Sequence, residues 1–226
     1  FFDEACRAEA RAVCSAGSRS IVMVSSVATP SLSSPVAINT HATSGEIAYV
    51  PAAGSDRVAL VDIGLHGVLT TIDVGAVGCD YPWRATIDPA GNQVYVSCNF
   101  SGNVVVIDTN STRVSATVEG IASPAGIAFT RDEVYALIGS TDGGQITVVH
   151  TKDYTVRTIT TPGATYGIAA HPYLDLIYAT SANGDILVID TSTFTIQTTI
   201  HVPGTPSAVA VSPDGRWISA SDRFGA

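Results

Sequence analysis

The chain is poor in charged residues, and lysine is almost absent. Only 14% of the 226 residues are charged, and Lys152 is the single lysine in a chain of formal net charge −9. Nucleic-acid binding requires a basic surface stripe, which this composition does not supply. The sequence also has no apolar run of the roughly 18 residues that a spanning helix needs. We therefore expect no nucleic-acid partner and no membrane span.

Local catalytic and metal-binding motifs are also missing. The chain has no Gly-x-Ser-x-Gly elbow, no His-Glu-x-x-His pair and no glycine-rich phosphate loop before a helix. The five histidines share no metal-ligand spacing. Aspartates recur in loops and suit calcium, but turn aspartates that bind their own backbone explain them equally well: Asp56, Asp142, Asp185 and Asp222. We predict no metal and no cofactor, and catalytic residues stay unknown.

What the sequence does contain is a strand-rich unit that recurs about every 41 to 49 residues. Each of four complete copies has a small apolar run, a turn such as Asp88-Pro89-Ala90-Gly91, a strand centred on tyrosine, and a third strand that ends at Asp62, Asp108, His150 or Asp190. A threonine-rich fourth segment runs into glycine. A fifth copy has two strands, with Trp217-Ile218 in place of the tyrosine strand. Short β-branched runs separated by Gly, Pro, Asn and Asp are strands, so each unit is predicted to be a four-stranded antiparallel meander.

Four-stranded units of this length are typical of β-propeller blades. The repeat resembles the Tyr-Val-Thr-Asn (YVTN) β-propeller repeat family through Tyr95-Val96-Ser97, Tyr178-Ala179-Thr180 and the Val-Ile-Asp-Thr stretches at 106–109 and 188–191. The resemblance covers most of residues 35–220. It implies a surface-layer or cell-surface protein, and similar propellers occur in enzymes that bind quinone, haem or lactone ligands. The third copy departs at Val149-His150-Thr151, and no copy spells the family tetrapeptide in full.

Counting strands predicts one all-β domain over residues 1–226, a propeller of five blades. The blades span about 31–75, 76–120, 121–163, 164–204, and 205–226 completed by 6–30. Residues 6–14 alternate strictly and Ile21-Val22-Met23-Val24 follows, which is the spacing of a third and fourth strand. Closing the ring in this way removes open sheet edges. Two alternatives remain: a helix over residues 1–14, and a fragment of a six- or seven-bladed ring.

Four cysteines indicate an oxidising environment. Cys79 precedes the first strand of blade two and Cys98 ends its second strand, so antiparallel pairing brings them together and predicts a disulfide. Two small buried thiols are the alternative. Cys6 and Cys14 are too far apart on one strand or helix to bridge directly, so a bridge would need the segment to bend, or partners elsewhere.

Two further features favour secretion. The first residue is Phe1, which removal of a secretion signal explains. Asn99-Phe100-Ser101 and Asn110-Ser111-Thr112 both fit the N-glycosylation pattern, in predicted exposed loops. We expect a secreted monomer that is glycosylated at Asn99 and Asn110.

Blade two carries bulky and charged residues where other blades have small ones. The predicted ligand-binding residues lie on one face of the propeller, near the channel mouth: Asp80, Tyr81, Trp83, Arg84, Phe100 and Tyr166. Arg84 opens an innermost strand and suits a carboxylate or other oxygen-rich ligand, while the aromatic rings suit an apolar pocket. Alternatively, Tyr81 and Trp83 pack between blades and Arg84 pairs with Asp80 or Asp88.

Two function classes follow. The first is a secreted or cell-surface module that binds a small organic ligand, another protein or a glycan through its top-face loops. The second is an enzyme that holds a small organic substrate in the central pocket, for lactone hydrolysis or a cyclisation. A roomy pocket lined by Tyr81, Trp83, Arg84 and Tyr166 favours the enzyme, whereas a plugged channel favours the binding module.

Overall fold

The tyrosine-centred repeats form consecutive antiparallel sheets in a computed structural model, which describes residues 37–39 and 47–222. The first sheet contains β1 (Ala37–Asn39), β2 (Ile47–Ala52), β3 (Arg57–Asp62) and β4 (Gly67–Asp73). The second contains β5 (Pro82–Ile87), β6 (Gln93–Cys98), β7 (Asn103–Asp108) and β8 (Arg113–Val118). Short 3₁₀ turns at Ala53–Ser55 and Gly75–Val77 lie in the connections around them.

The remaining strands repeat this order. The third sheet contains β9 (Pro124–Phe129), β10 (Tyr135–Ser140), β11 (Gln145–His150) and β12 (Val156–Thr160). The fourth contains β13 (Thr165–Ala170), β14 (Leu176–Ser181), β15 (Asp185–Asp190) and β16 (Thr195–His201). The last described strands, β17 (Pro206–Val211) and β18 (Ile218–Asp222), form a two-stranded sheet.

Every pairing between these strands is antiparallel and joins neighbours in sequence. The all-β class and the four-stranded meanders predicted from the repeat are therefore confirmed, and the arrangement is consistent with a β-propeller-like fold. The predicted strands at 6–14 and 21–24, the alternative helix, and Cys6 and Cys14 lie outside the described residues.

The second, third and fourth sheets bury residues of both faces against adjacent sheets, which explains their near-continuous apolar strands. In the second sheet, Val94 and Val96 pack with Tyr49 of the first sheet. Tyr95, between them in sequence, points to the other face and meets Phe129 of the third sheet edge to face, with ring centroids 5.0 Å apart. Alternation along a strand thus supplies two cores. Each fully buried Val, Ile or Phe contributes about 1.5–3 kcal/mol through its loss of contact with water.

The aspartate that ends the third strand of most repeats closes the following turn. Asp62 Oδ1 accepts the Leu65 N–H at 2.8 Å, and Asp108 Oδ1 accepts the Ser111 N–H at 2.7 Å. His150 stands in this place in the third sheet. There Asp153 takes over, accepting the Thr155 N–H at 3.1 Å and contacting His150 Nδ1 at 2.7 Å. The departure of the third repeat is therefore a different way to close the same turn.

The innermost strands of the later sheets approach each other backbone to backbone. A Cβ on Gly126 in β9 would lie 2.7 Å from the Tyr166 carbonyl oxygen in β13. A Cβ on Gly167 in β13 would lie 2.7 Å from Ala208 Cα in β17. Only glycine fits this spacing without displacement of a strand.

Candidate ligand-binding site

The predicted disulfide fixes the connection that enters the second sheet. Cys79 and Cys98 are bonded, with Cα atoms 5.2 Å apart, and both residues are buried. The pairing of Pro82 with Cys98 in the β5–β6 ladder brings the two ends together. The alternative of two free thiols is wrong.

Backbone and side-chain hydrogen bonds then hold Tyr81 in a left-handed conformation, with φ of 60°. Its N–H donates to Asp56 Oδ1 of the first sheet at 3.1 Å, and its carbonyl accepts the Asn99 N–H at 3.1 Å. Non-glycine residues seldom adopt this conformation, so these contacts offset its cost. The result aims the Tyr81 ring at Phe100, where the rings stack 4.3 Å apart at 18°.

This stack forms one side of an open cavity of about 310 Å³, which we call the aromatic cavity. Residues of three consecutive sheets and their connections line it: Tyr81, Trp83, Asn99, Phe100, Thr141 and Tyr166. Its volume is at the lower end of the range for small-molecule sites. The structure thus brings together Tyr81, Trp83, Phe100 and Tyr166, four of the six residues predicted from sequence to bind a ligand.

Asn99 and Thr141 are wall residues that sequence reasoning missed as ligand contacts. Asn99 Nδ2 donates to the Pro124 carbonyl and to Thr141 Oγ1, both at 3.1 Å, so it joins the second sheet to the third. These residues directly follow equivalent second strands, as Cys98-Asn99 and Ser140-Thr141, and that correspondence was the signal available in the repeat. They place amide and hydroxyl groups beside the aromatic walls.

Arg84 does not line the aromatic cavity but lies behind one of its walls. Its Cζ is 5.1 Å from the centroid of the Trp83 ring, within the range of a cation–π contact. Its backbone N–H donates to Ser97 Oγ at 3.1 Å, which fixes it within the β5–β6 ladder. Burial lowers the pKa of the Arg84 guanidinium, and its Nε is buried with no hydrogen-bond partner in the part of the chain that the structure describes.

Asp80 is exposed and is not a wall residue of the aromatic cavity. Its backbone carries its structural contacts, since its N–H donates to Ser101 Oγ at 2.9 Å and its carbonyl accepts the Phe100 N–H at 3.3 Å. Within the described part of the chain, neither Asp80 nor Asp88 forms an ion pair with Arg84. Asp88 instead caps its turn by accepting the Asn92 and Gln93 N–H groups.

The two glycosylation motifs differ in accessibility. Asn99 is half-buried, and the amide nitrogen that a glycan would occupy is already a donor to Pro124 and Thr141. Asn110 is exposed in the turn between β7 and β8. A glycan at Asn99 would replace contacts between two sheets, whereas one at Asn110 would extend into solvent.

Of the four recurring loop aspartates, two bind backbone groups through their side chains, while Asp185 Oδ1 contacts His201 Nδ1 at 3.2 Å. Asp56 accepts the Tyr81 N–H, and Asp222 Oδ1 accepts the Thr205 N–H at 2.8 Å. Over residues 37–39 and 47–222, no group of three or more His, Cys, Asp or Glu side chains is placed to hold a metal ion. The same residues include no helix with the length and apolar character needed to cross a bilayer.

Comparison with known proteins gives a likeness of fold. No family model matches the chain, and no curated protein matches it by sequence. Among solved structures, the chain is similar to hydrazine synthase of Kuenenia stuttgartiensis, with a TM-score of 0.55 and 17% identity over 85% of this chain and 81% of that one. At this identity the likeness shows a shared fold alone.

Proposed function

We propose that this protein is a secreted or cell-surface β-propeller that binds a small organic ligand in the aromatic cavity. The observation that carries the proposal is the convergence of Tyr81, Trp83, Phe100 and Tyr166 around one opening of about 310 Å³. The resemblance of the repeat to the Tyr-Val-Thr-Asn family supports a surface location. The Cys79–Cys98 disulfide supports an oxidising compartment.

The cavity chemistry favours a ligand with a flat ring. Tyr81 and Phe100 already stack in parallel, so a planar ring can continue the stack. Thr141 Oγ1 and the Asn99 side chain supply a few hydrogen-bonding groups at fixed positions, which is the usual composition of a small-molecule site.

Binding is better supported than catalysis by the position of Arg84. The enzyme hypothesis requires Tyr81, Trp83, Arg84 and Tyr166 around the pocket. Three of these residues are wall residues, whereas Arg84 lies behind Trp83. Binding of a flat ring requires only the residues that line the aromatic cavity.

Ligand-observed NMR with benzamide, coumarin and naphthalene-2-carboxamide tests the proposal. We expect at least one of these flat probes to bind, and Tyr166→Ala or Phe100→Ala to weaken it by about tenfold, the loss of one stacked ring. Tyr173→Ala is the matched control, because Tyr173 is a tyrosine that is 64% exposed and lies outside the cavity walls. Equal binding by the Tyr166 and Tyr173 variants, or no binding of any probe, overturns the proposal.

We further propose that the sheets form a closed five-bladed ring in which residues 6–30 complete the fifth sheet. The first four sheets have four strands each, while β17 and β18 stand as a pair. The strict alternation of residues 6–14 supports pairing along the open side of β18. Hydrogen exchange on Ser219, Ala220 and Ser221 tests this. Slow exchange that becomes fast when residues 1–30 are removed is expected, and fast exchange in the full chain contradicts it.

Glycosylation is proposed at Asn110 rather than Asn99. The exposed side chain of Asn110 and the engaged amide of Asn99 support this choice. Peptide mass spectrometry of protein secreted from eukaryotic cells distinguishes the two sites. A glycan on Asn99 contradicts it.

A further inference from the structure

Arg84 occupies a place in β5 where the first strands of the next two sheets have glycine and β17 has Ala208. It is the third residue of its strand, as are Gly126 in β9 and Gly167 in β13. The hydrogen bonds confirm the correspondence between β5 and β13. The Arg84 N–H donates to Ser97 Oγ at 3.1 Å, and the Gly167 N–H donates to Thr180 Oγ1 at 2.9 Å. The fold therefore needs no charge at this place.

The guanidinium of Arg84 lacks a carboxylate partner within the described residues. Among the other described arginines, Arg57 is half-buried and pairs with Asp73 at 3.1 Å. The rest are exposed: Arg113, Arg131, Arg157 and Arg216. Arg84 is thus a half-buried, partly desolvated cation in a chain of net charge −9, and its Nε is buried with no hydrogen-bond partner among the described residues.

A desolvated cation without a partner is costly, and an anion that reaches it recovers favourable energy. Arginine stays protonated even when burial lowers its pKa, so the charge is retained. Its planar set of donors fits a carboxylate through two parallel hydrogen bonds. The contact that it makes instead, with the Trp83 ring, is weaker than such a charged pair.

We infer that the ligand of the aromatic cavity carries an anionic group, a carboxylate in the first instance, and that Arg84 is the residue that selects for it. The ring lies against Trp83 and the Tyr81–Phe100 stack. Trp83 belongs both to the cavity wall and to the Arg84 contact. The inference therefore requires the indole to rotate when the ligand binds, so that the carboxylate replaces it against Arg84. The inference rests on the proposed function.

Benzoate and its neutral isostere benzamide are the probes, measured by fluorescence of a Trp217→Phe protein. Trp217 is 74% exposed and lies outside the cavity walls, so its removal leaves Trp83 as the single tryptophan reporter. We expect benzoate to bind about tenfold or more tighter than benzamide, the difference that a charged hydrogen bond makes. Arg84→Gln should bring the ratio of the two affinities to about one.

Arg113→Gln is the matched control, because it removes the same charge from an exposed position in β8 of the same sheet. Its ratio of benzoate affinity to benzamide affinity should equal that of the Trp217→Phe protein, which is the parent of both variants. A benzoate preference that survives Arg84→Gln overturns the inference. Equal binding of both probes by the parent protein overturns it too, while leaving the proposed function standing. If neither benzoate nor benzamide binds, and the other neutral probes of the proposed function also fail to bind, both the inference and the proposed function are overturned.

A second measurement needs no change at Arg84 and so does not depend on the folding of that variant. Iodide and neutral acrylamide both quench tryptophan on contact. A negative protein repels iodide, so iodide should quench Trp217 poorly in a Trp83→Phe protein. In the Trp217→Phe protein we expect iodide to quench Trp83 more strongly, relative to acrylamide, than it quenches Trp217. This excess of iodide quenching should fall in high salt. The same iodide-to-acrylamide ratio at both tryptophans contradicts an accessible anion site at Arg84.

Discussion

The connections that enter the second and third sheets follow the same backbone path but carry different side chains. Tyr81 and Ser123 stand at corresponding places, and both have positive φ, 60° and 39°. The carbonyl of each accepts an N–H from the residue after the second strand, Asn99 at 3.1 Å and Thr141 at 3.0 Å. The repeat therefore specifies this backbone without reference to the side chains.

The side chains of the two connections serve different ends. The third sheet has Ala125 and Gly126 where the second has Trp83 and Arg84. Gly126 allows close packing of inner strands, which is a requirement of folding. Trp83 instead forms part of the wall of the aromatic cavity, and Arg84 places a cation against the Trp83 ring. Departures from the repeat at this connection therefore mark side chains that the fold itself does not require.

The largest expected effect comes from the disulfide that is present in the second sheet alone among those described. The Cys79→Ala/Cys98→Ala variant loses a link between residues 19 apart in sequence. Because the link restricts the unfolded chain, we expect the free energy of unfolding to fall by about 3 kcal/mol. Urea denaturation measures the change, and wild type treated with a reductant should show a similar loss. An unchanged midpoint would mean that the connection is held by its hydrogen bonds alone.

The next largest effect is expected when the third sheet receives a side chain at Gly126, the position that corresponds to Arg84. In Gly126→Ala the new Cβ lies 2.7 Å from the Tyr166 carbonyl oxygen and 3.1 Å from the Ile168 nitrogen. Backbone atoms cannot rotate away, so we expect a loss of about 2 kcal/mol in thermal or urea unfolding. Gly67→Ala is the control, since its nearest neighbour is 3.9 Å away. Equal stability of the two variants would show that β9 and β13 separate easily.

A smaller effect should follow from the bond that joins the second sheet to the third across their inner strands. Thr86 Oγ1 donates to the Ile127 carbonyl at 3.1 Å. Thr86→Val keeps the shape and removes the donor, so we expect a loss of about 1 kcal/mol. Thr117→Val, on the outer strand β8, should cost less, because no hydrogen bond of the Thr117 hydroxyl lies within the described residues. Urea midpoints of both variants give the comparison.

The smallest expected effect concerns the turn that closes the third sheet. Hydrogen bonds from the Thr155 N–H and hydroxyl, and then from His150, lower the pKa of Asp153 to about 2. A carboxyl whose pKa is lower in the folded state stabilises it above the unfolded value of 3.8 and loses this effect as the pH falls through about 2. Asp153→Asn mimics the protonated carboxyl. We expect it to lower the urea midpoint at pH 7 and to match wild type near pH 2; an equal deficit at both pH values contradicts this.

Much of the fold follows from local pattern. Alternation at Val94, Tyr95 and Val96, with turn residues between strands, specifies a strand and both of its buried faces. The disulfide was also predictable, because antiparallel pairing fixes which strand ends meet. The role of Asp153 could not be predicted from the sequence. The repeat places the capping aspartate at the end of the third strand, and this copy has His150 there.

The candidate site was predictable in part. Bulky residues in one repeat pointed to Tyr81, Trp83 and Phe100, which share a cavity wall. Asn99 and Thr141 were missed as wall residues because their contact joins different sheets, and their sequence separation hides it. The position of Arg84 depends on the packing of β5 against β9, which strand pattern does not encode.

Local pattern was enough to predict the strand order, the paired cysteines and the repeat that holds most of the candidate site. These features depend on residues that are near each other in the chain, and propensity and alternation report such interactions directly. Only the packing of the sheets brings Tyr166 to Tyr81 and Trp83, leaves Asp80 outside the cavity wall, and sets Arg84 behind Trp83 without a carboxylate partner among the described residues. These contacts depend on how neighbouring sheets face each other, because a single residue at the contact between two sheets sets the space available to the side chains around it.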